Sequence, residues 1–410
     1  MSDKSLRISG NRLNRRLAEL AEYGATPDKG VSRVAFGETD VEGRRYVMNI
    51  MRHAGLNVRV DPAGNIFGRR EGSVAGAGCI LFGSHIDTVP NGGAYDGALG
   101  SLAAIEVAHT LNSAGYRNRH PLEVAIWCDE ESGLTGSRCF VGELGPEGLE
   151  LPGHDGVSLA EKIRRIGGDP LRIAAAVPEE GKVSSYLELH VEQGGVLDSE
   201  KLDIGIVQGF VGINHYDVTI RGVANHAGAT PMDRRQNALL AAADLVLAVD
   251  RIVRSIPGEQ VGTVGRLVVI PGAPNVVPGR VNLTVELRDL DMAKLGSIWQ
   301  GISKEMQQIA RKYDTEVQHE LRRSLAGTPT DSSVRQLLTE VVHELGLSSK
   351  EMTSGAGHDA QQLAAICPVG MIFVPSVAGI SHSPKEYTRP RDVENGANVL
   401  LQGILQLDLR

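Results

Sequence analysis

The chain has 410 residues, of which 41% are hydrophobic and only 4% aromatic, so more than one core can form and Ala, Val, Leu and Ile must do most of the packing. The formal net charge is -8, and basic residues cluster no further than short pairs such as Arg322–Arg323, which argues against nucleic acid as a partner. No segment approaches the roughly 18 unbroken apolar residues that a membrane span needs.

The opening MSDKSLRISGNRLNRRLAEL lacks the apolar run of a leader or anchor. Leu13, Leu17 and Leu20 then form a stripe that predicts a helix over 11–23, and a second helix is expected from Val41 to His53. LNVRVDPAGNIFGR reads as extended chain broken by an Asp-Pro-Ala-Gly turn. CILFGSHIDTVP is a buried strand running into a polar loop, Gly97 to Ser113 is an Ala-rich helix, and PLEVAIWCDEE is a strand ending in three acids. Such alternation predicts an α/β layer on a largely parallel sheet, with sites built at the carboxyl ends of its strands. The 144–182 segment is rich in Gly and Pro and predicts no definite element.

The pattern changes after Gly212. INHYDVTIRGVANHAG alternates as a half-exposed strand, NALLAAADLVLAVDRIV is helical, and VGTVGRLVVIPG and GRVNLTVELRDLD are two more strands. A helix over about 292–312 and the strand TEVQHEL follow, giving the order β-α-β-β-α-β of a small ferredoxin-like insert. Helix and strand resume after Pro329. The expected layout is therefore 1–211 and 329–410 as one catalytic domain, interrupted by an insert over 212–328. Cys79, Cys128, Cys139 and Cys367 are scattered without CxxC spacing, which suits buried thiols in a reducing, cytoplasmic compartment.

Four segments carry chemistry. In GSHIDTVPNGGAYDGALG, His85 and Asp87 stand two apart at a strand end, so both face one side, and Asp96 follows in a glycine-rich loop. Asp129, Glu130 and Glu131 are three consecutive carboxylates at the end of a core strand, costly to hold there ionised without a cation. In ELHVEQGGVLD, alternation sets Glu188, His190 and Glu192 on one face. His382 lies in the loop AGISHSPKEYTRPRD, and upstream His358 and Asp359 open a helix whose free amides could meet an anion. Imidazole and carboxylate donors without cysteine suit Zn²⁺, Mn²⁺, Co²⁺ or Ni²⁺, with a carboxylate able to bridge two ions and a spare one to act as base on a metal-acidified water. There is no GxSxG elbow and no phosphate-binding loop of Walker type.

These motifs, together with NHAGATPMDRR, PGAPNVVPGRVNLTVELRD and GAGHDA, occur in an order that resembles the amidase group of the M20 metallopeptidase family from about residue 20 onward. That group includes N-carbamoyl-L-amino-acid hydrolases, allantoate amidohydrolases and β-ureidopropionases. The resemblance implies a two-metal aminopeptidase-like catalytic domain with an inserted α+β dimerisation (lid) domain, two divalent metal ions, and a homodimer formed by the insert's edge strand and helices around 212–250. It implies that Asp96 bridges the metals, that His85 and His190 complete one site and Glu131 and His382 the other, and that Glu130 is the general base. Asp87 would orient His85. His226 would stabilise the oxyanion, reaching across the dimer, while Gln193, Asn275, Arg288 and Gly357 would line the substrate site. Asn275 and Arg288 would clamp the substrate carboxylate. The implied reaction is hydrolysis of a ureido C–N bond on a small L-amino acid, with allantoate, carbamoyl-β-alanine and aminoacylase or dipeptidase substrates as the alternatives. In one place the chain departs from the family: DEESGLTGSRCF replaces the usual glycine after the Glu pair and shortens the segment, altering the loop beside the metals.

Overall fold

The computed structural model describes residues 5–152 and 155–410; residues 1–4 of the opening segment and 153–154 of the unassigned Gly- and Pro-rich stretch lie outside the described residues. The chain divides into two compact units, Met1–Gln208 with Thr330–Arg410, and Gly209–Pro329. The first unit opens with strands β1 (Asn57–Val60), β2 (Ile66–Arg70), β3 (Cys79–His85), β4 (Leu122–Trp127), β5 (Val183–Val191) and β6 (Ile204–Phe210). The second holds β7 (Gly212–Arg221), β8 (Asn225–His226), β9 (Val261–Ile270), β10 (Val276–Val277), β11 (Arg280–Asp289), β12 (Glu316–Leu325) and β13 (Thr328–Pro329). The chain then returns to the first unit for β14 (Ser349–Ser354) and β15 (Val369–Val374).

In the first unit the strand order is β1-β2-β4-β3-β5-β15-β6, with β14 beside β6. The centre is parallel: β3 pairs in parallel with β4 and β5, and β15 with β5. Every residue of β3, β4 and β15 is buried, which is why these strands read as apolar runs rather than alternating ones. The expectation of a largely parallel sheet needs one correction, since β1, β2 and β6 pair antiparallel at its flanks. At β1 and β2 the reason is the short Asp-Pro-Ala-Gly turn, which can only close a hairpin; a parallel return needs a dozen or more residues. Helix Ala98–Ser113 is buried along almost its whole length and joins the C-terminal helix Pro390–Asp408 in the main core. The 144–182 stretch resolves into short helices at Pro146–Leu149 and Leu159–Arg165 and a 3-10 turn at Pro170–Ala176. All four cysteines are buried and unpaired.

The parallel centre brings four carboxyl ends to one edge. β3 ends on His85, β4 leads into Asp129–Glu131, β5 ends beyond His190, and β15 leads into the loop bearing His382.

The second unit follows β-α-β-β-α-β, with an antiparallel sheet in the order β12-β7-β11-β9. Alternate residues of β7 and β11 (Tyr216, Val218, Ile220, Leu283, Val285) pack against helices Ala238–Ser255 and Met292–Tyr313. The strand at Gly212–Arg221, expected at an edge, runs between β12 and β11, and the edges are β9 and β12. Alternation reveals which face of a strand is buried but not its rank in the sheet. Among the described residues no helix is long and apolar enough to cross a membrane.

Candidate metal centre

Asp96 sits where the strand ends converge. Its Oδ1 lies 3.1 Å from His190 Nε2 and 3.6 Å from His85 Nε2, and the two imidazole nitrogens are 3.5 Å apart. Its Oδ2 lies 3.4 Å from His382 Nε2, which is 3.3 Å from Glu131 Oε2. Two donor trios therefore share one carboxylate: His85, Asp96 and His190, and Asp96, Glu131 and His382. His85, His190 and Asp96 are buried, whereas the His382 side chain is 48% exposed, so the second trio opens to solvent.

The tautomers argue for a cation. His85 Nδ1 lies 3.0 Å from the Asp87 carbonyl oxygen and His190 Nδ1 lies 2.9 Å from that of Val191. Each Nδ1 therefore carries a hydrogen to donate, and in the neutral rings both Nε2 lone pairs face the Asp96 oxygen. Three acceptors so close favour a cation between them, although the Gly97 amide also donates to His190 Nε2 at 3.2 Å. The same carboxylates favour positive charge on the ring: burial would lower the pKa of His85, but Glu130, Asp96 and Asp87 outweigh it and hold it well above its ordinary value. A hydrogen bond to Asp96 lifts His382 to about 9, against burial and with Glu131 adding to the rise. The residues fit divalent metal binding by nitrogen and oxygen, and no cysteine takes part in either trio.

The Glu pair is held by its backbone. Asp87 Oδ1 and Oδ2 accept the amides of Glu130 (3.3 Å) and Glu131 (3.2 Å). The Asp87 carboxylate thus aims the acidic segment, while its backbone carbonyl fixes the His85 ring; the Oδ1 to His85 Nδ1 distance is 3.7 Å. The expected role in orienting His85 passes through the main chain. Glu130 Oε2 lies 3.6 Å from His85 Nε2. Burial raises the Glu130 pKa well above its ordinary value; His85 opposes this, and Asp359, Glu131 and Asp96 add to it.

Several further residues hold these segments together. Asn65, fully buried in the β1–β2 turn, accepts the Cys128 amide at 3.2 Å and donates to the Gly136 carbonyl at 3.1 Å, closing the loop that carries Glu130 and Glu131. Glu188 accepts from Ser84 Oγ (2.7 Å) and the Ala360 amide (3.0 Å), tying the neighbours of His85 and His190 to the Gly357–Asp359 loop. One amide of the helix start there, that of Ala360, is thus taken by Glu188. Glu192 does not share the site face, since it lies past the strand end and accepts the amides of Val196 and Leu197. Asp129, Gln193 and His382 are among the non-glycine residues with positive φ (57°, 61° and 53°), a conformation that costs energy outside glycine.

Gln193 Nε2 donates to Asp96 Oδ2 at 2.8 Å. A Cβ on Gly357 would stand 3.9 Å from Leu134 Cδ1, so the altered loop borders this glycine. The other expected substrate residues belong to the second unit. His226 Nδ1 accepts the amides of Gly228 (3.0 Å) and Ala229 (3.1 Å), which leaves the hydrogen on Nε2. Asn275 is its neighbour: its carbonyl accepts the Ala227 amide at 2.9 Å, and Val276 pairs with His226. Arg288 is not beside them. It lies at the far end of β11, eight residues beyond Arg280, a rise of about 26 Å, with Nε 2.6 Å from Glu286 Oε1. The expected clamp of Arg288 and Asn275 is thus not assembled within one chain, because spacing along a strand sets the reach of its side chains.

The model of peptidase family M20/M25/M40 matches residues 81–406. The chain belongs to this family. Over 405 residues, 98% of this M20 chain and 99% of the relative, it is 42% identical to an N-carbamoyl-L-amino acid amidohydrolase from Geobacillus stearothermophilus. A ureidoglycolate hydrolase from Arabidopsis thaliana is 37% identical, with 99% of this chain and 88% of that protein covered. Among solved structures, an amidase of the hydantoinase/carbamoylase family from Burkholderia multivorans superposes with a TM-score of 0.92 at 38% identity, covering 99% of both chains. This M20 protein is a metal-dependent hydrolase by family and by its donor trios.

Proposed function

We propose that the protein hydrolyses the ureido C–N bond of N-carbamoyl-L-amino acids, releasing ammonia, carbon dioxide and the amino acid, at a binuclear centre. The observation that carries this reading is Asp96, whose two oxygens face two separate donor trios; the similarity to N-carbamoyl-L-amino acid amidohydrolases supplies the substrate class. Asp96 would bridge, His85 and His190 would hold one ion, and Glu131 and His382 the other, drawn from zinc, manganese, cobalt or nickel. Bound there, divalent cations would polarise the ureido carbonyl and acidify the attacking water.

The chain's own residues do the rest. Glu130 takes a proton from the water and returns it to the leaving nitrogen, a role suited to a carboxyl whose pKa is raised. His226 donates from Nε2 to the oxyanion. Arg288 meets the substrate carboxylate as a planar fork, Asn275 adds a polar contact, and Gln193 and Gly357 line the acyl side. His226 and Asn275 lie at the opposite end of the sheet from Arg288, which supports a reading in which a second copy would supply one of these ends. A homodimer through the ferredoxin-like unit would serve. Leu240 and Leu247 on helix Ala238–Ser255, and Val261, Leu267 and Val268 on edge strand β9, offer exposed apolar surface for it. Four unpaired buried cysteines suit a cytoplasmic setting.

The test is ammonia release from N-carbamoyl-L-methionine, N-carbamoyl-β-alanine, allantoate and ureidoglycolate, beside free-amine release from N-acyl amino acids and dipeptides, with and without a chelator. The N-carbamoyl-L-amino acid is expected to give the highest kcat/KM, and chelation to abolish turnover. A preference for allantoate or ureidoglycolate would reassign the substrate, and amine release without ammonia would make the protein an aminoacylase or dipeptidase.

A further inference from the structure

We propose that Glu386 is a positioning residue that holds the two halves of the metal centre in one register, by fixing the backbone of Asp96 and the loop of His382 to a single carboxylate. The inference rests on the metal-binding reading above. Glu386 is buried, 6% exposed, and belongs to neither donor trio. Its Oε1 accepts the amides of Tyr95 (2.9 Å) and Asp96 (3.0 Å). Its Oε2 accepts the hydroxyl of Ser381 at 2.7 Å, and Ser381 Oγ lies 2.9 Å from Asp96 Oδ2. Ser381 precedes His382, and the Glu386 amide donates to the Ser383 carbonyl at 3.0 Å, folding the His382 loop back on itself. One side chain thus spans segments 290 residues apart. The loop before Asp96 is shaped to admit it: a Cβ on Gly93 would stand 2.0 Å from Glu386 Oε1.

Burying a second carboxylate beside Asp96 is costly unless donors surround it. Three donors do, and all come from the segments that carry Asp96 and His382. Because Asp96 serves both trios, a shift of its backbone moves a ligand of each. Groups that orient metal ligands from outside the coordination sphere typically change affinity by about 10- to 100-fold when removed.

Two substitutions separate reach from charge. Glu386→Asp keeps the charge and draws the carboxylate back by one methylene. Glu386→Gln loses the charge but keeps an oxygen for both amides, and its amide group can donate to Ser381. The full chain, stripped by chelation and dialysed, is titrated with cobalt(II) while the visible absorption band and binding affinity are followed; thermal unfolding of the stripped protein serves as the folding control. Glu386→Asp is expected to weaken cobalt binding by about 10- to 100-fold and to alter the band, with Glu386→Gln close to wild type. Gly93→Ala, which would displace the carboxylate without changing it, is expected to show the same loss as Glu386→Asp and stands in for it should that variant not fold. Wild-type protein that takes up no cobalt defeats the metal reading itself. Wild type that binds, with folded variants of equal affinity, or with Glu386→Gln weakened as much as Glu386→Asp, overturns the positioning role.

Discussion

Co-expression of a Glu130→Gln chain with a His226→Ala chain tests whether the site is completed by a second copy. Along β11 the end near His226 and Asn275 is about 26 Å from Arg288, while a hydrogen bond reaches about 3 Å. One substrate cannot touch both ends of one chain's sheet. Each variant alone is expected to be nearly inactive. In a two-fold heterodimer, one site then holds both lesions and the other holds neither: its Glu130 is native on the His226→Ala chain, and its His226 is native on the Glu130→Gln chain. Random pairing makes half of the dimers mixed, with one intact site in each, so the pool should regain about a quarter of wild-type kcat. Differently tagged chains purified by tandem affinity should regain about half. The assay is ammonia release at saturating substrate, with sedimentation confirming the dimer. Purified heterodimers no more active than the parents would refute the shared site.

Glu130→Gln alone should bind cobalt as wild type does and lose roughly 10²- to 10⁴-fold in kcat, since the ligands stay and the proton acceptor goes; near-normal turnover would show that another carboxyl is the base. Arg288→Ala should lower kcat/KM for carboxylated substrates by about 10- to 100-fold, mostly through KM, and leave an uncharged ureido analogue unaffected. Asp61 predicts a pH dependence of stability. Burial lifts its pKa from 3.8 to about 6, with the Asn65 hydrogen bonds opposing. An acid whose folded pKa is raised favours the fold below the unfolded value and loses that contribution as pH rises through the folded one. Between pH 4 and 8 the loss comes to about 2 kcal/mol. Urea unfolding of wild type and Asp61→Asn across this range should show the variant gaining on wild type as pH rises, and a constant difference would contradict it.

Much of this was legible from residue order. Strands β3, β4 and β15 announce themselves as apolar runs, and all the donors of both trios stand in the motifs that end or follow parallel strands. A His or an acid just past a buried strand has few structural uses, and that scarcity makes it readable. Asn65 and the tying roles of Glu188 and Glu386 were not legible, although each residue is buried and each ties two or three site segments together. Their partners are backbone groups distant in sequence, and a side chain that serves a distant amide leaves no local pattern. The separation of Arg288 from Asn275 was hidden for a related reason. They are close in sequence, but a turn and eight residues of extended strand lie between them.

Asp87 shows how the end of a strand redirects a side chain. A carboxylate two residues from a histidine suggests a direct hydrogen bond to the ring, and alternation along the strand would allow it. At the strand's end the chain turns, and the Asp87 carbonyl reaches Nδ1 first, at 3.0 Å against 3.7 Å for the carboxylate. The released carboxylate meets the amides of Glu130 and Glu131. One residue therefore sets the tautomer of His85 on β3 and the approach of Glu130, the proposed base, beyond β4. The substitution Asp87→Asn would retain the backbone carbonyl, and with it the His85 ring, but its neutral side chain would offer one oxygen for two amides. The variant should accordingly bind cobalt almost as tightly as wild type while losing turnover, because the damage falls on Glu130 rather than on His85. A parallel loss of cobalt affinity and kcat would place the carboxylate back on the imidazole.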